Sequence, residues 1–404
     1  MGKMKLVTPK YYEEFKCIAG DCTDTCCAGW DVDVDKKSND FYKTVTGPFG
    51  DRLKAVSVDD EEGGCTFTLT MEKRCPFLND ANLCDLYTEL GEDKLCDTCA
   101  EFPRFINNFG ALREMGIAPS CKTAGEIIFA KRGMMEFSES DIDEDIALND
   151  IDPFVYMLLR RVRKLSFNLI NDTDYKLGER IAAFLAMSRD VQRLLDIQED
   201  EKIGNVLKAY ENKDLVDEAI KNIRKRRLES ETLSARKLGF PQDAKYFEQI
   251  KHYFDSFEGM EVINPDWYKV CQAVDKFYED IKESRKAIEL KDEFNEYYKD
   301  RLAEYDQLFN YTIFRYLLDA VNDYDLLLKT TICIVWYIVL KAADIAVWYC
   351  NGKTLSFTEQ VDIAHLYSRQ FEHSYSNFEV YNEMFETNEI YSVTNLEAIC
   401  LMFD

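Results

Sequence analysis

From Pro153 onward, apolar side chains recur three and four positions apart. Phe154, Met157, Leu158, Val162, Leu165 and Leu169 keep this rhythm, as do Ile181, Phe184, Leu185 and then Val191, Leu194, Leu195. That spacing puts one apolar stripe on each helix. Further helices are predicted at 213–228, 242–257, 265–323 (broken at least once), 325–350, 357–386 and 393–402. Gly239-Phe240-Pro241 and Asn264-Pro265 are the two strong breaks. Upstream the pattern changes. Gly47-Pro48, Gly63-Gly64, Cys75-Pro76, Phe102-Pro103 and Ala118-Pro119 cut the chain into short pieces. Ser57 to Met71 reads as a hairpin around Glu61-Glu62-Gly63-Gly64, and Thr66 to Thr70 alternate as a strand does. Short helical pieces are predicted at Thr8–Phe15, Ser38–Thr46 and Cys84–Gly91, with another starting in Lys94–Phe105.

The expected architecture is mainly α: a small, loop-rich N-terminal module (1–133), an acidic linker (134–152) and an α-helical bundle (153–404). The module has too few continuous apolar runs for a large core. Seven acidic side chains between Glu139 and Asp152 read as a solvated linker or exposed helix start, leading to Pro153 as a first-turn residue. No internal repeat or low-complexity stretch interrupts the pattern.

Charge narrows the partners. The chain has 50 basic and 75 acidic residues, a net charge of −25, spread along its length. A surface this negative argues against nucleic acid and against an anionic membrane face. The longest uncharged apolar run, Thr330 to Leu340, is about half of the roughly 20 residues that a membrane span needs.

Cysteine changes the picture most. Of fourteen, ten lie in the first 121 residues: Cys17, Cys22, Cys26, Cys27, Cys65, Cys75, Cys84, Cys96, Cys99 and Cys121. The N-terminus has no apolar leader, so a cytoplasmic, reducing setting is expected, and metal ligation is the better reading than disulfides. Soft thiolates at short spacing select zinc, or iron with sulfide. Cys96-x-x-Cys99 supplies two donors from one turn, and Cys84 follows Cys75 by nine positions. No histidine lies in the module, and all-cysteine ligation suits a Cys₄ zinc site and an iron–sulfur cluster equally. Cys271, Cys333, Cys350 and Cys400 are scattered singly and read as core thiols.

Cys22-x₃-Cys26-Cys27, Cys75-x-Phe77-Leu78, Cys84-x-Leu86-Tyr87 and Cys99-x-x-Phe102-Pro103 resemble the CxxxCC family of zinc- or iron-chelating domains. Tyr12-x-x-Phe15-x-Cys17, Cys26-Cys27-x-Gly29-Trp30 and Cys96-x-x-Cys99-x-x-Phe102-Pro103-Arg104 resemble its longer branch, the flagellin lysine-N-methylases. The match covers about the first 121 residues. The resemblance implies a cytoplasmic enzyme with an iron–sulfur cluster, of the 4Fe–4S type, that methylates flagellin lysines from S-adenosylmethionine. Cys22, Cys26, Cys27, Cys75, Cys84, Cys96 and Cys99 are then the expected metal ligands. The alternative is a non-catalytic zinc- or iron-binding module.

The residues themselves say less about methyl transfer. None of the seventeen glycines is separated from another by one residue, so the Gly-x-Gly turn of Rossmann-type methyltransferases is missing. Tyr11, Tyr12, Asp31, Asp33 and Asp35 flank the cysteines and are candidates to take a proton from the lysine amine. His365 and His373, eight residues apart, can share one helix face; no acidic pattern makes them a second metal site. Lys221 and Arg224 to Arg227 read as a solvated basic face, and Trp336, Tyr337, Trp348 and Tyr349 as core.

Overall fold

A computed structural model describes residues 4–144, 151–238, 243–281 and 284–404. The expected break at Gly239-Phe240-Pro241 lies outside the described residues. The first 144 positions carry strands β1 (Met4–Pro9), β2 (Val32–Val34), β3 (Ser57–Asp59), β4 (Cys65–Phe67), β5 (Arg104–Phe109), β6 (Leu112–Ile117) and β7 (Phe137–Ile142). Between them run the short helices α1 (Lys36–Thr44), α2 (Gly47–Val56), α3 (Asp85–Leu90), α4 (Asp97–Glu101) and α5 (Lys122–Phe129). The rest of the chain is helical: α6 (Pro153–Ile170), α7 (Leu177–Asp196), α8 (Asp200–Glu211), α9 (Lys213–Leu238), α10 (Asp243–Asp255), α11 (Trp267–Asp280) and α12 (Ser284–Tyr298). It continues through α13 (Ala303–Tyr316), α14 (Ala320–Asp323), α15 (Leu326–Cys350), α16 (Phe357–Glu372), α17 (Tyr375–Thr387) and α18 (Val393–Met402). The protein is mainly helical, as its periodicity predicts.

The central helix α15 is apolar on every side, and a helix of that kind must be enclosed. Trp336, Tyr337 and Trp348 are buried in it as expected, whereas Tyr349 is half-buried. The helix runs straight through the two lysines that bound its apolar run. Lys329 donates to Asp323 (2.5 Å), and Lys341 donates to Asn295 (2.7 Å) beneath the rings of Phe294 and Tyr305. Burial pulls the Lys341 amine down to about 7. The basic cluster on α9 is largely spent on its own chain, since Arg224 pairs with the buried Glu179 and Arg227 donates to the Leu401 carbonyl.

Two sheets organise the N-terminal third. One has the order β5-β6-β1-β7, with β1 parallel to β6 and antiparallel to β7. The other is the antiparallel β2-β4-β3, whose β3-β4 hairpin is the one expected around Gly63-Gly64. The smaller sheet covers a core of its own, in which Phe67 meets Phe77 edge-on (4.9 Å) and Cys65, Cys75 and Cys96 are buried. The larger sheet packs into the main core through Phe109 and Ile117.

Several local expectations change. Thr8–Phe15 is the end of β1 followed by a 3₁₀ turn, Lys10–Glu14. Lys94–Phe105 holds only the one-turn α4 before β5 begins. The acidic stretch read as a linker carries β7, six residues paired along β1; positions 145–150 lie outside the described residues. Asp152 does cap α6, accepting from the amides of Phe154 and Val155. The single helix expected at 357–386 breaks at His373, where Ser374 caps α17 by accepting from the Asn377 amide (3.3 Å).

The glycine of the Cys26-Cys27-x-Gly29-Trp30 run has a definite job. Its φ is +96°, and a Cβ there would stand 2.4 Å from the Ile263 carbonyl oxygen. The cysteine loop therefore meets the helical body backbone to backbone. Gly29→Ala is expected to cost about 1–3 kcal/mol, the cost of a strained backbone plus a forced separation. A thermal midpoint equal to that of the parent would refute this reading of the contact.

Candidate functional site

All fourteen cysteines are free thiols. The loops around the smaller sheet collect five of them. Cys75 donates its amide to the Cys27 carbonyl (2.8 Å), and Gly29 donates to Lys73 (2.9 Å), so these two strands of loop lie side by side. The turn after Cys75 folds back through Leu78 N–H to Cys75 O (3.1 Å) and Asp85 N–H to Phe77 O (2.7 Å), returning Cys84 to the same neighbourhood. Cys96 is the N-cap residue of α4 and Cys99 lies in its first turn, which Thr98 Oγ and the Asp97 amide tie to Asp33 and Asp35 of the β2 end (2.7 and 3.1 Å). Cys27, Cys75, Cys84, Cys96 and Cys99 thus feel one another's charge. The Cys26 hydrogen bond pulls the Cys27 thiol down to about 7 against its burial, and the Cys99 hydrogen bond lowers Cys96. Burial pushes Cys75 up to about 12.

Of the other two expected ligands, Cys26 is hydrogen-bonded to Cys27 and lies near Arg369 and Cys121, and Cys22 lies near Cys17 and Arg369 at the seam with the helical body. Cys65 is enclosed in the small core. Among the described residues, no three Cys, His, Asp or Glu side chains converge on a single ion position. The donor chemistry, soft thiols free of disulfides and gathered from several loops, suits a Cys₄ zinc site and an iron–sulfur cluster alike.

Helix α16 anchors the cysteine loop. Arg369, 2% exposed, donates to Asp24 Oδ1 (3.1 Å), the Thr25 carbonyl (3.0 Å) and, through Nε, the Ser120 carbonyl (3.2 Å). His365 sits between Asp24 Oδ2 (2.6 Å) and the Pro119 carbonyl (3.0 Å), and Asn264 donates to the same carboxylate (2.7 Å). Burial works against the Asp24 charge, but the His365 hydrogen bond and the Arg369 charge outweigh it and hold Asp24 below the usual carboxylate range. His373 packs against Trp30 (5.0 Å) and Phe102 (5.6 Å) and meets Ser120 Oγ at 2.8 Å. Burial pushes this imidazole down to about 4, so it is neutral. Sequence reading paired the two histidines on one face but missed Arg369 between them. The spacing 365, 369, 373 was the available signal.

On the far side of His373 lies a cavity of about 580 Å³, within the usual range for small-molecule sites. Phe105, Tyr316 and Phe378 give it aromatic walls, and Asp319, Glu372 and Arg315 supply charge. Glu372 is a hub: Arg315 (3.1 Å), Tyr311 (2.7 Å), Tyr316 and Ser368 all bind it. Arg315 also stacks over Phe105 at 4.7 Å. None of Tyr11, Tyr12, Asp31, Asp33 or Asp35 lines this space. Tyr11 is core, and Asp35 caps α1 through the Ser38 amide.

The cavity is half-open and lined mostly by half-buried side chains, and comparison with known proteins gives the family. The family model described as the FliB lysine N-methylase C-terminal domain matches residues 163–401. The chain belongs to that family. Its relatives include the protein named Lysine-N-methylase of Salmonella typhimurium (strain LT2), 21% identical over 215 residues, or 52% of this chain and 53% of that one. The Lysine-N-methylase of Salmonella choleraesuis is 20% identical over the same shares. The Flagellar biosynthetic protein FliU of Salmonella muenchen is 27% identical over 109 residues, 26% of this chain and 64% of that one. The chain spans about half the length of the first of these relatives. No solved structure matches it. The family match falls on the helical body, so the cysteine motifs precede it.

Proposed function

We propose that this chain is a protein-lysine N-methyltransferase that takes its methyl group from S-adenosylmethionine, acts on flagellin in the cytoplasm and depends on a cysteine-held iron–sulfur centre. The match of the helical body to the lysine N-methylase family carries the reading. Relatives named for lysine methylation and flagellar biosynthesis favour flagellin as substrate. The thiols of Cys27, Cys75, Cys84, Cys96 and Cys99 supply the donors for the centre. When bound, it cross-links a module whose own apolar core is small.

The chemistry asks for alignment. A neutral lysine amine attacks the sulfonium methyl, the new C–N bond forms as the S–C bond breaks, and the amine proton leaves to an acceptor. Holding donor and amine in line is worth more here than acid–base power. In the cavity, Tyr316 and Phe378 are the aromatic side chains that a sulfonium or ammonium cation would lie beside, whereas Phe105 already holds Arg315 over its ring at 4.7 Å. Asp319 is the carboxylate there outside the Glu372 hub; it accepts from Asn322 (2.7 Å) and pairs with Lys329 (3.5 Å), and it is the side chain that would receive the lysine proton. Glu372 and Arg315 keep the aromatic walls in position. Exposed lysines of a protein substrate would be drawn by the net charge of −25, through weak and salt-screened attraction.

Flagellin co-expressed with this protein is expected to gain methyl groups on lysine by mass spectrometry, and flagellin expressed alone to have none. Unmethylated flagellin beside iron-loaded protein would favour the non-catalytic metal-binding module instead.

A further inference from the structure

Among the side chains that line the cavity, Arg315 is the lasting cation, since His373 is neutral there. It sits in the last turn of α13 and is held on several sides. Its Nε pairs with Glu372 (3.1 Å), whose side chain is fully enclosed. Its flat face lies over the Phe105 ring at 4.7 Å, and the Tyr316 hydroxyl stands beside it. Asn107 Nδ2 donates to the Arg315 carbonyl (3.0 Å) and so fastens the end of α13 to β5.

A guanidinium carries five N–H donors in one plane. Glu372 takes the Nε edge, and the Tyr316 hydroxyl beside it is itself spent on Glu372. Glu372 does not belong to Arg315 alone, because Tyr311 and Ser368 donate to it as well. Among the described residues, no second carboxylate pairs with the terminal nitrogens of Arg315, and the side chain keeps 16% exposure where it lines the cavity. A fork fixed in this way, with donors left at a cavity wall, is a ready receptor for another carboxylate.

We infer that Arg315 anchors the α-carboxylate of the methyl donor, S-adenosylmethionine, in this cavity. The inference rests on the reading that the chain methylates lysine from that donor at this site. The carboxylate is the donor's one anionic group, and a lysine side chain has none. Arg315 therefore repels the amine and attracts one end of the donor, which sets the direction in which the donor lies. The sulfonium, a short aliphatic chain from that carboxylate, is then turned toward Tyr316 and Phe378. Asp319 is left for the lysine. Arg315 takes no part in the methyl transfer itself; it fixes the side from which the methyl is offered.

The test is isothermal titration calorimetry on anaerobically purified full-length protein. The two ligands are S-adenosylmethionine and its decarboxylated analogue, which keeps the sulfonium and the amine. The parent should bind the carboxylated donor roughly 10–100-fold more tightly, the worth of a charge-assisted pair. Arg315→Lys leaves a cation for Glu372 but no fork, so this preference should shrink to a few-fold while affinity for the analogue holds. Should that variant misfold, Arg315→Gln with Glu372→Gln removes the pair without stranding a charge, and the same comparison is read there. Equal binding of the two ligands by the parent would overturn the anchor, and so would a full preference that survives in a folded variant. Equal weakening of both ligands in the variant would overturn it too, leaving Arg315 as a support of the cavity wall. A parent that binds neither ligand would sink the donor reading along with the anchor. Donor bound with the expected preference beside unmethylated flagellin would count against flagellin as substrate and leave the anchor standing.

Discussion

Replacing Arg369 with alanine is expected to lower stability by about 3–5 kcal/mol, because it leaves buried acceptors from two loops without a donor. The guanidinium is 2% exposed and is bonded to Asp24, Thr25 and Ser120. It also stacks over Trp30 at 4.6 Å, so the loss takes packing with it. Asp24 would keep His365 and Asn264, which caps the damage to its carboxylate. The loop carbonyls would have no replacement. The loosened segment is the cysteine loop, so limited proteolysis should cut between residues 17 and 30 well before the helical body. Arg369→Lys should not rescue it, since a point charge with a compact head cannot span acceptors on both sides. Parent-like protease resistance and melting in Arg369→Ala would show that the seam is held by something else.

The second large effect is expected at Glu114. This residue of β6 is 1% exposed in its side chain and receives both terminal nitrogens of Arg163 on α6, at 2.5 and 2.6 Å. The pair is the polar pin between the larger sheet and the helical body. Removing one member strands a buried charge, so Glu114→Ala should cost about 3–5 kcal/mol. Removing both is a different experiment. Glu114→Leu with Arg163→Met exchanges the pair for apolar volume and should recover most of the loss, as buried ion pairs seldom outperform good packing. The two midpoints, read by differential scanning calorimetry, separate a costly orphaned charge from a stabilising bond. Equal destabilisation by the single and the double variant would contradict the argument.

The helical body is legible in the sequence because its signal is local. Apolar spacing alone places α15, α18 and the helices from Pro153 onward, and the aromatic residues of α15 are buried where that spacing puts them. The larger sheet is not legible for the opposite reason. β1 pairs Lys5 with Leu112 and with Asp141, partners more than a hundred positions away, and no short window contains them. The cysteine content is plain in the sequence, yet its grouping is not. Cys27 comes to lie beside Cys75, Cys84, Cys96 and Cys99, all far along the chain, and only the folded backbone brings them together. The seam residues on α16 were half visible, as a pair of histidines one helix face apart. What they hold, a loop some 340 positions earlier, was not.

The acidic segment that holds β7 has a further consequence. β7 is one of the two outer strands of its sheet, paired with β1 on one side and, among the described residues, with no strand on the other. An open strand edge invites another chain to add to it, and such additions seed aggregation. Here the strand reads Phe-Ser-Glu-Ser-Asp-Ile, with Glu139 and Asp141 exposed along it. A second strand laid against that edge would bring like charges into register and pay for their desolvation. The acidity concentrated after Phe137 therefore acts as a guard on the sheet, keeping its free edge single in a protein whose neighbouring loops are rich in reactive thiols.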